Sequence, residues 1–225
     1  RPRAARYLTS GEFDIMGIVP AGAGYMFVND RKMNAVEAYA GKRVTVLSYQ
    51  RDAMHMINYI NATPIPSDIT TFGGKFNNGA ADACYAPAAA YRVLELYKGV
   101  GDNGGIVRYP LGQLTWQIVA RRGTFEEGFV ERSREIAYSL LPAAMAMIRQ
   151  YEESVPAEHW IDISRDSIEG YQEMFRANRL QLASSEQAGG RSASTVYDDD
   201  MMRIMRKIRC HTNPGAVECA ASDRE

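Results

Sequence analysis

Charge of neither sign is in excess: 26 Lys and Arg stand against 27 Asp and Glu, a formal net charge of −1. Nothing in that balance neutralises a phosphate backbone or an anionic bilayer, so general nucleic-acid and membrane-surface binding are not expected. No apolar run reaches the roughly 18 residues that span a bilayer. The opening RPRAARYL is basic but lacks the apolar centre of a secretory leader. Catalytic patterns are missing as well. There is no G-x-S-x-G elbow, no H-E-x-x-H, no P-loop, and no G-x-G-x-x-G with a following acid at the right distance. No nucleophile–base pair is visible, and an enzyme is not expected. Cysteine is scarce at three residues, and histidine likewise. His55 lies in a helical pattern as a half-buried residue. His211 sits near Cys210 and Cys219, but no fourth ligand lies at a suitable spacing, so neither a metal nor another cofactor is expected.

What is present is an ordinary globular composition. The 225 residues are 46% hydrophobic and 24% charged, enough for one large domain or two small lobes with an adequate core. Cys84 reads as a buried free thiol inside an apolar run. Cys210 and Cys219 flank Pro214 and Gly215, a turn that can bring their sulfurs together. A disulfide there implies an oxidising compartment; the alternative is two free tail thiols.

Along the chain, FDIMGIV (13–19) predicts a strand, PAGAG a loop and YMFVN (25–29) a second strand. AGAG could cradle an anion, but it precedes a strand rather than a helix N-terminus. NAVEAYA (34–40) predicts a short helix closed by Gly41. KRVTVLSY is a strand rich in β-branched residues, followed by a helix with Met54, Ile57, Met56 and Ile60 at helical spacing. ATPIPSD (62–68), with two prolines, predicts an edge or loop crossing. The stretch GGKFNNGAADACYAPAAAY (73–91) then runs from a turn into a buried strand and out at a Tyr-Ala-Pro junction. Asp82 in it reads as a structural acceptor at a strand edge rather than a base. A single helix is expected through AAAYRVLELYKG, then strands in IVRYPL and QLTWQIVARRG.

After Arg122 the pattern turns helical. Thr124 with Glu127 predicts a capping box, and Pro142 a kink inside a long helix. Ser164 or Asp166 caps a further helix. Residues 183–196 predict a mobile loop, and Asp198 to Asp200 cap a last helix with a basic end. The strand–helix alternation over 13–122 predicts an α/β fold, an open sheet covered by helices. In such sheets ligands bind outside the carboxyl ends of the strands. That points to Ser48 and Tyr49 after the VTVL strand and to Tyr85 before Pro87, as the polar and aromatic parts of a small-molecule site.

The run AGKRVTVLSYQRDAMHMINYINATPIPSDITTFGGKFNNGAADACYAPAAAY resembles the central segment of TRAP-transporter-type periplasmic solute-binding proteins. The shared pattern is Gly41-Lys42, a helix through residue 60, Ala62-Thr63-Pro64, then Gly79-Ala80-Ala81-Asp82 and Pro87. GKFNNG, APAAAY, GGIVRYP, an MFR helix and an RC…P…EC tail are closer to a TRAP-like solute-binding subgroup, some members of which carry efflux-pump labels. The resemblance runs from about residue 14 to 219. It implies a type II periplasmic-binding-protein fold, two lobes with a hinge and a helical C-terminal third. Residues 42–112 would form lobe two. Residues 1–40 and 113–150 would supply part of lobe one with crossing strands, and 151–225 bracing helices and a disulfide tail. Relatives carry a long stretch before the point where this chain starts, so the expectation is a fragment of a longer receptor with an incomplete lobe one.

Functionally, the resemblance implies a monomeric periplasmic receptor that captures a small-molecule solute for membrane transporter subunits. The alternative is a periplasmic interaction or efflux-accessory protein with no ligand of its own. TRAP receptors clamp the ligand carboxylate with an arginine four residues after the glycine, where this chain has Thr45, and with an asparagine before the proline, where it has Ala86. The expected ligand contacts are therefore Ser48, Tyr49, Tyr85 and Thr45. Arg43 and Arg108 are the cations that strand alternation could aim at the cleft.

Overall fold

The computed structural model describes residues 11–188, 199–215 and 217–220. The start RPRAARYL and the segment 189–198, which includes most of the expected mobile loop and Asp198, lie outside the described residues. The chain is a mixed α/β fold, as expected. A first compact unit ends at Tyr171, and a second runs from Gln172.

In the first unit, β1 (Phe13–Val28) is one strand of 16 residues rather than the expected strand–loop–strand. The PAGAG run stays in the ladder because two register shifts absorb it, between Ile15 and Gly17 and between Pro20 and Gly22. Gly22 takes φ +95, a left-handed value that a side chain resists, and so lets the bulge form. Val36–Tyr39 is a 3-10 turn. β2 (Arg43–Leu47), α1 (Arg51–Tyr59) and β3 (Thr63–Ser67) follow. Pro64 and Pro66 are tolerated because β3 pairs with β2 alone, at the end of the sheet.

Next come α2 (Phe72–Asn77), β4 (Ala83–Pro87), α3 (Ala90–Val93) and α4 (Tyr97–Val100). The single helix expected here is interrupted at Glu95, which sits at φ +52 and turns the chain so that Leu96 is fully buried. After β5 (Gly105–Val107) and β6 (Gly112–Arg121) come α5 (Glu127–Ser139) and α6 (Leu141–Glu153). No Thr124 capping box forms: the residue flanking the first turn of α5 is Glu126, with no side-chain cap. Pro142 does not kink one helix but opens a second, in the first turn, where its missing N–H costs nothing. β7 (Trp160–Ile161) precedes α7 (Arg165–Ala188), capped by Ser164, whose Oγ accepts from the Ser167 N–H at 3.1 Å.

The sheet order is β3-β2-β4-β1-β5-β7, with β6 on the far half of β1. Phe27, Phe76, Leu96 and Ile106 are at most 1% exposed and centre the main core. Each such side chain contributes about 1.5–3 kcal/mol by burial.

The second unit holds the end of α7, then α8 (Asp199–Thr212) and α9 (Val217–Ala220). Residues 183–188 of the expected loop are helical. Cys210 and Cys219 are disulfide-bonded and Cys84 is a buried free thiol. Arg209 forks onto both oxygens of Glu218 at 2.9 and 3.0 Å beside the bridge. Cys210, Glu218 and Cys219 lie close together, but the disulfide takes both sulfurs, so the group is not a metal cluster.

Candidate ligand site

Strand direction places the site. β2 runs parallel to β3 and to β4, β1 runs antiparallel to β4, β5 and β6, and β5 runs parallel to β7. Every strand except β1 therefore points the same way. The carboxyl ends of β3, β2, β4, β5 and β7 fall along one edge of the sheet. β1 crosses that edge. Its Gly24–Val28 half is paired with β4 inside the sheet, and its Phe13–Gly24 half, paired with β6, continues beyond. Gly24 faces Pro87 on one side and Gly112 on the other, so the crossing point is fixed by small residues and a proline.

Along this edge stand Ser48, Tyr49 and Gln50 after β2, Pro87 at the end of β4, Arg108 after β5 and Asp162 after β7. Tyr85 points its hydroxyl to the same end: it accepts from the Leu47 N–H at 3.3 Å and donates to Gln50 Oε1. Its ring lies edge-on to Phe72 at 5.4 Å, and burial pushes its phenol up to about 12. Ser48 Oγ donates to the Ser67 carbonyl at 2.8 Å, tying the ends of β2 and β3 together. Tyr49 is 71% exposed. Arg108 donates through Nε to Asp162 at 2.6 Å and lies 4.8 Å over the Trp160 ring.

Two of the expected residues are elsewhere. Arg43 begins β2, at the opposite edge. Its guanidinium contacts both oxygens of Asp82 at 3.0 and 2.8 Å and the Gly79 carbonyl at 3.0 Å. Asp82 is a structural acceptor: it also takes the Arg43 backbone N–H at 2.9 Å. The Arg43 side-chain hydrogen bonds hold its carboxyl down at about 2. Thr45 is in mid-strand, fully buried, and its Oγ1 has no hydrogen-bond partner among the described residues.

Where β1 leaves the sheet there is a shallow, solvent-open depression with room for about one water-sized group. Its floor is Ala21, Gly22 and Ala23 of β1 with Pro87, Ala88 and Ala89, and α6 closes it with Ile148, Tyr151 and Glu152. Small side chains create the space; a Cβ on Gly22 would already meet Ile148 at 3.4 Å. The Tyr25 hydroxyl donates to Glu152 Oε1 at 2.8 Å, and the Tyr25 ring meets Trp160 edge-on at 5.2 Å. Arg31 braces the strand behind by donating to the carbonyls of Gly104, Glu158 and Trp160. Sequence reasoning did not select Tyr25, Glu152 or Trp160. Tyr25 read as a strand residue, while Glu152 carried no reading; it lies 127 positions away, with no motif joining the two.

Fold and site together define a class: the type II periplasmic-binding fold of the TRAP solute-binding proteins. A Desulfovibrio salexigens TRAP periplasmic solute-binding protein with bound orotic acid superposes with a TM-score of 0.68 at 12% identity, over 80% of this chain and 59% of that one. The periplasmic ectoine-binding protein of the Halomonas elongata TeaABC TRAP transporter gives 0.66 at 14% identity, over 84% and 62%. The chain belongs to the AdeT 1/2 solute-binding protein family, which it matches over residues 1–224. It is 36% identical over 222 residues to the probable solute-binding protein AdeT1 of Acinetobacter baumannii, which is 99% of this chain and 70% of that protein. The chain thus spans under two thirds of the length of the solved structures. Among the described residues, no helix is long and apolar enough to cross a membrane.

Proposed function

We propose that the protein is a periplasmic solute receptor that captures a small molecule at the carboxyl edge of the sheet and presents it to a membrane transporter. The observation that carries this reading is the crossing of β1 through an edge where five strands end, beside a shallow open depression lined by small residues, Ile148, Tyr151 and Glu152. In this reading residues 42–112 are lobe two, 1–40 and 113–150 contribute to lobe one and the crossing strands, and 151–225 are the C-terminal helices and disulfide tail. The bulge at Gly22 supplies a hinge. Closure follows from contacts that the solute makes only in the closed form; equal affinity for both forms would shift nothing. Micromolar binding, about 8 kcal/mol, suffices for such a receptor.

The proposed contacts are Tyr49, Tyr85 and Ser48, with aromatic packing and hydrogen bonds in place of an arginine–carboxylate clamp. Support comes from Arg43 being bound to Asp82 at the far edge and Arg108 to Asp162. A second reading, an envelope interaction protein without a ligand, draws on exposed apolar side chains along β6, α5 and α6, among them Trp116, Ile118, Ile136 and Leu140. Thermal shift of the full chain against a broad metabolite panel separates the two. Stabilisation by one chemical class supports the receptor. No stabilisation by any compound, together with a stable complex with an envelope protein, supports the second reading.

A further inference from the structure

The strand order β3-β2-β4-β1-β5 reverses direction between β2 and β4. From β2 the chain leads outward to β3, and from β4 it leads the other way to β5. In an open sheet that reversal marks the crevice where a ligand sits. The sheet is also parted there. β2 and β4 share a single ladder pair, Val44 with Ala83, whereas β2 stays paired with β3 as far as Ser67. Beyond that pair the Leu47 N–H donates to the Tyr85 hydroxyl at 3.3 Å, a side chain of β4 in place of its backbone. A backbone N–H only donates, so the phenol oxygen accepts, and its one proton goes to Gln50 Oε1. Burial, with the charge of Asp52 adding to it, holds that phenol up at about 12, so the proton stays in place at neutral pH. The relay fixes which end of the Gln50 amide faces the tyrosine. The Gln50 backbone is fixed too: its N–H donates to the Leu47 carbonyl at 2.8 Å, and its carbonyl accepts from Met54 at 3.1 Å. What remains is the amide nitrogen, whose two protons go to no described group. Ser48 has no such surplus, since its hydroxyl proton is on the Ser67 carbonyl.

We infer that Gln50 sets solute specificity at this edge: its amide nitrogen donates to a neutral carbonyl or amide oxygen of the solute, and the Tyr85 hydroxyl positions that amide. This rests on the solute-receptor reading. A carboxylate is the poorer partner, because Asp52 stands in the first turn of α1 and the candidate cations Arg43 and Arg108 are held by Asp82 and Asp162. An ammonium is poorer still, because it has no lone pair to accept the amide protons.

The test uses matched probes on the full chain: acetophenone and benzamide as neutral carbonyls, benzoate as the acid and benzylamine as the cation. Binding is read by thermal shift and titration calorimetry. The carbonyl probes are expected to stabilise the protein, and benzoate and benzylamine are not. Glu replaces the amide protons by a second acceptor while still taking the Tyr85 proton. Gln50→Glu is therefore expected to weaken carbonyl binding by about tenfold or more, with an unchanged melting temperature and a preference turned towards benzylamine. Tyr85→Phe keeps the ring and frees the amide, and is expected to lower the affinity for the carbonyl probes by about threefold. Carbonyl affinity unchanged in Gln50→Glu overturns the inference. If benzoate or benzylamine stabilises the wild type and the carbonyls do not, the specificity inference falls while the receptor reading stands. If only a member of the metabolite panel binds, Gln50→Glu is titrated with that compound: a loss of about tenfold supports the inference, and unchanged affinity overturns it. If neither these probes nor any panel member binds, both fall.

Discussion

The Tyr25 hydroxyl and the Glu152 carboxylate meet at 2.8 Å across 127 residues, fastening α6 to the point where β1 crosses the sheet edge. Burial, then the hydrogen bond to Glu152 and its negative charge, push the Tyr25 phenol up to about 12. Tyr85 and Tyr171 are also pushed up to about 12, each chiefly by burial. A folded value above the ordinary value of about 10 means that the folded state holds the proton more tightly. The resulting stability is full below about pH 10 and is lost as pH rises towards 12. Phenolate absorbance should show a late-titrating group of tyrosines, with melting temperature falling over the same window. Tyr25→Phe should cost about 1 kcal/mol. A phenolate titration complete by pH 11 in the folded protein would refute this.

Asp82 behaves in the opposite sense. Its carboxyl is held at about 2 by Arg43, below the ordinary value of about 3.9. The pair contributes stability above pH 4 that is lost as pH falls towards 2. Because Arg43 is exposed, the effect of Asp82→Asn is small, about 1 kcal/mol. Denaturant midpoints for wild type and Asp82→Asn should differ at pH 6 and converge at pH 2. A constant difference across that range would show that the substitution acts through packing.

The reach of the sequence can be judged element by element. Within 73–91 the buried strand and the proline junction were legible because each is local, but Gly73–Asn77, read as a turn, belongs to α2, whose Phe72 and Phe76 are buried in the core. The β3 prolines were legible as an edge for the same reason. The PAGAG run was misread as a loop because a strand that crosses a sheet edge tolerates bulges only when a long partner such as β6 supports it, and that pairing spans some ninety residues. Thr124 failed as a cap because the chain turns at Gly123, φ +78, and starts the helix after Glu126. Ser48 and Tyr49 were legible as residues that follow the carboxyl end of β2, and Tyr85 as one near the end of β4, because strand ends are marked locally. Glu152 was not, since nothing local marks a helix-end glutamate as the wall of a hollow built by β1.

The Cys210–Cys219 bridge joins the ends of a short loop beside the Arg209–Glu218 pair. Loop-closure entropy for so short a loop corresponds to roughly 2–3 kcal/mol. Cys84 is fully buried, and burial raises its thiol well above the ordinary range. Unreduced native protein should therefore react with no thiol reagent until it unfolds and should then expose one thiol. Three thiols titrating in unreduced, unfolded protein would contradict the bridge. Reduction should lower the stability of the C-terminal segment, read as faster proteolysis after Gln172.

Thr45 buries a hydroxyl that no described group satisfies. An orphaned polar atom costs about 1–3 kcal/mol. Thr45→Val should thus be neutral or stabilising by up to about 1 kcal/mol, with solute affinity unchanged. If the valine instead abolishes binding while the melting temperature holds, the hydroxyl reaches the ligand and Thr45 is a contact residue.

The tyrosines and the arginines make opposite demands on the solute. Tyr49 offers a ring that is 71% exposed, and Tyr85 a ring set against Phe72 with its hydroxyl on Gln50. Both stand at the carboxyl edge, where a ring supplies a broad apolar face and one hydroxyl. Arg43 is at the other edge, and Arg108 is already paired. With whichever panel compound stabilises the protein, Tyr49→Ala and Tyr85→Ala should each weaken binding by about 1 kcal/mol or more. Arg43→Ala and Arg108→Ala should change it little. Tyr85→Phe separates the two contributions of that residue: the ring remains and the link to Gln50 is lost, so most of the affinity should survive if packing dominates. Melting curves for each variant show whether a loss reflects the site or the core beneath Tyr85. Loss of binding in Arg108→Ala with both tyrosines dispensable would overturn the aromatic reading and place an anionic group of the solute on that arginine.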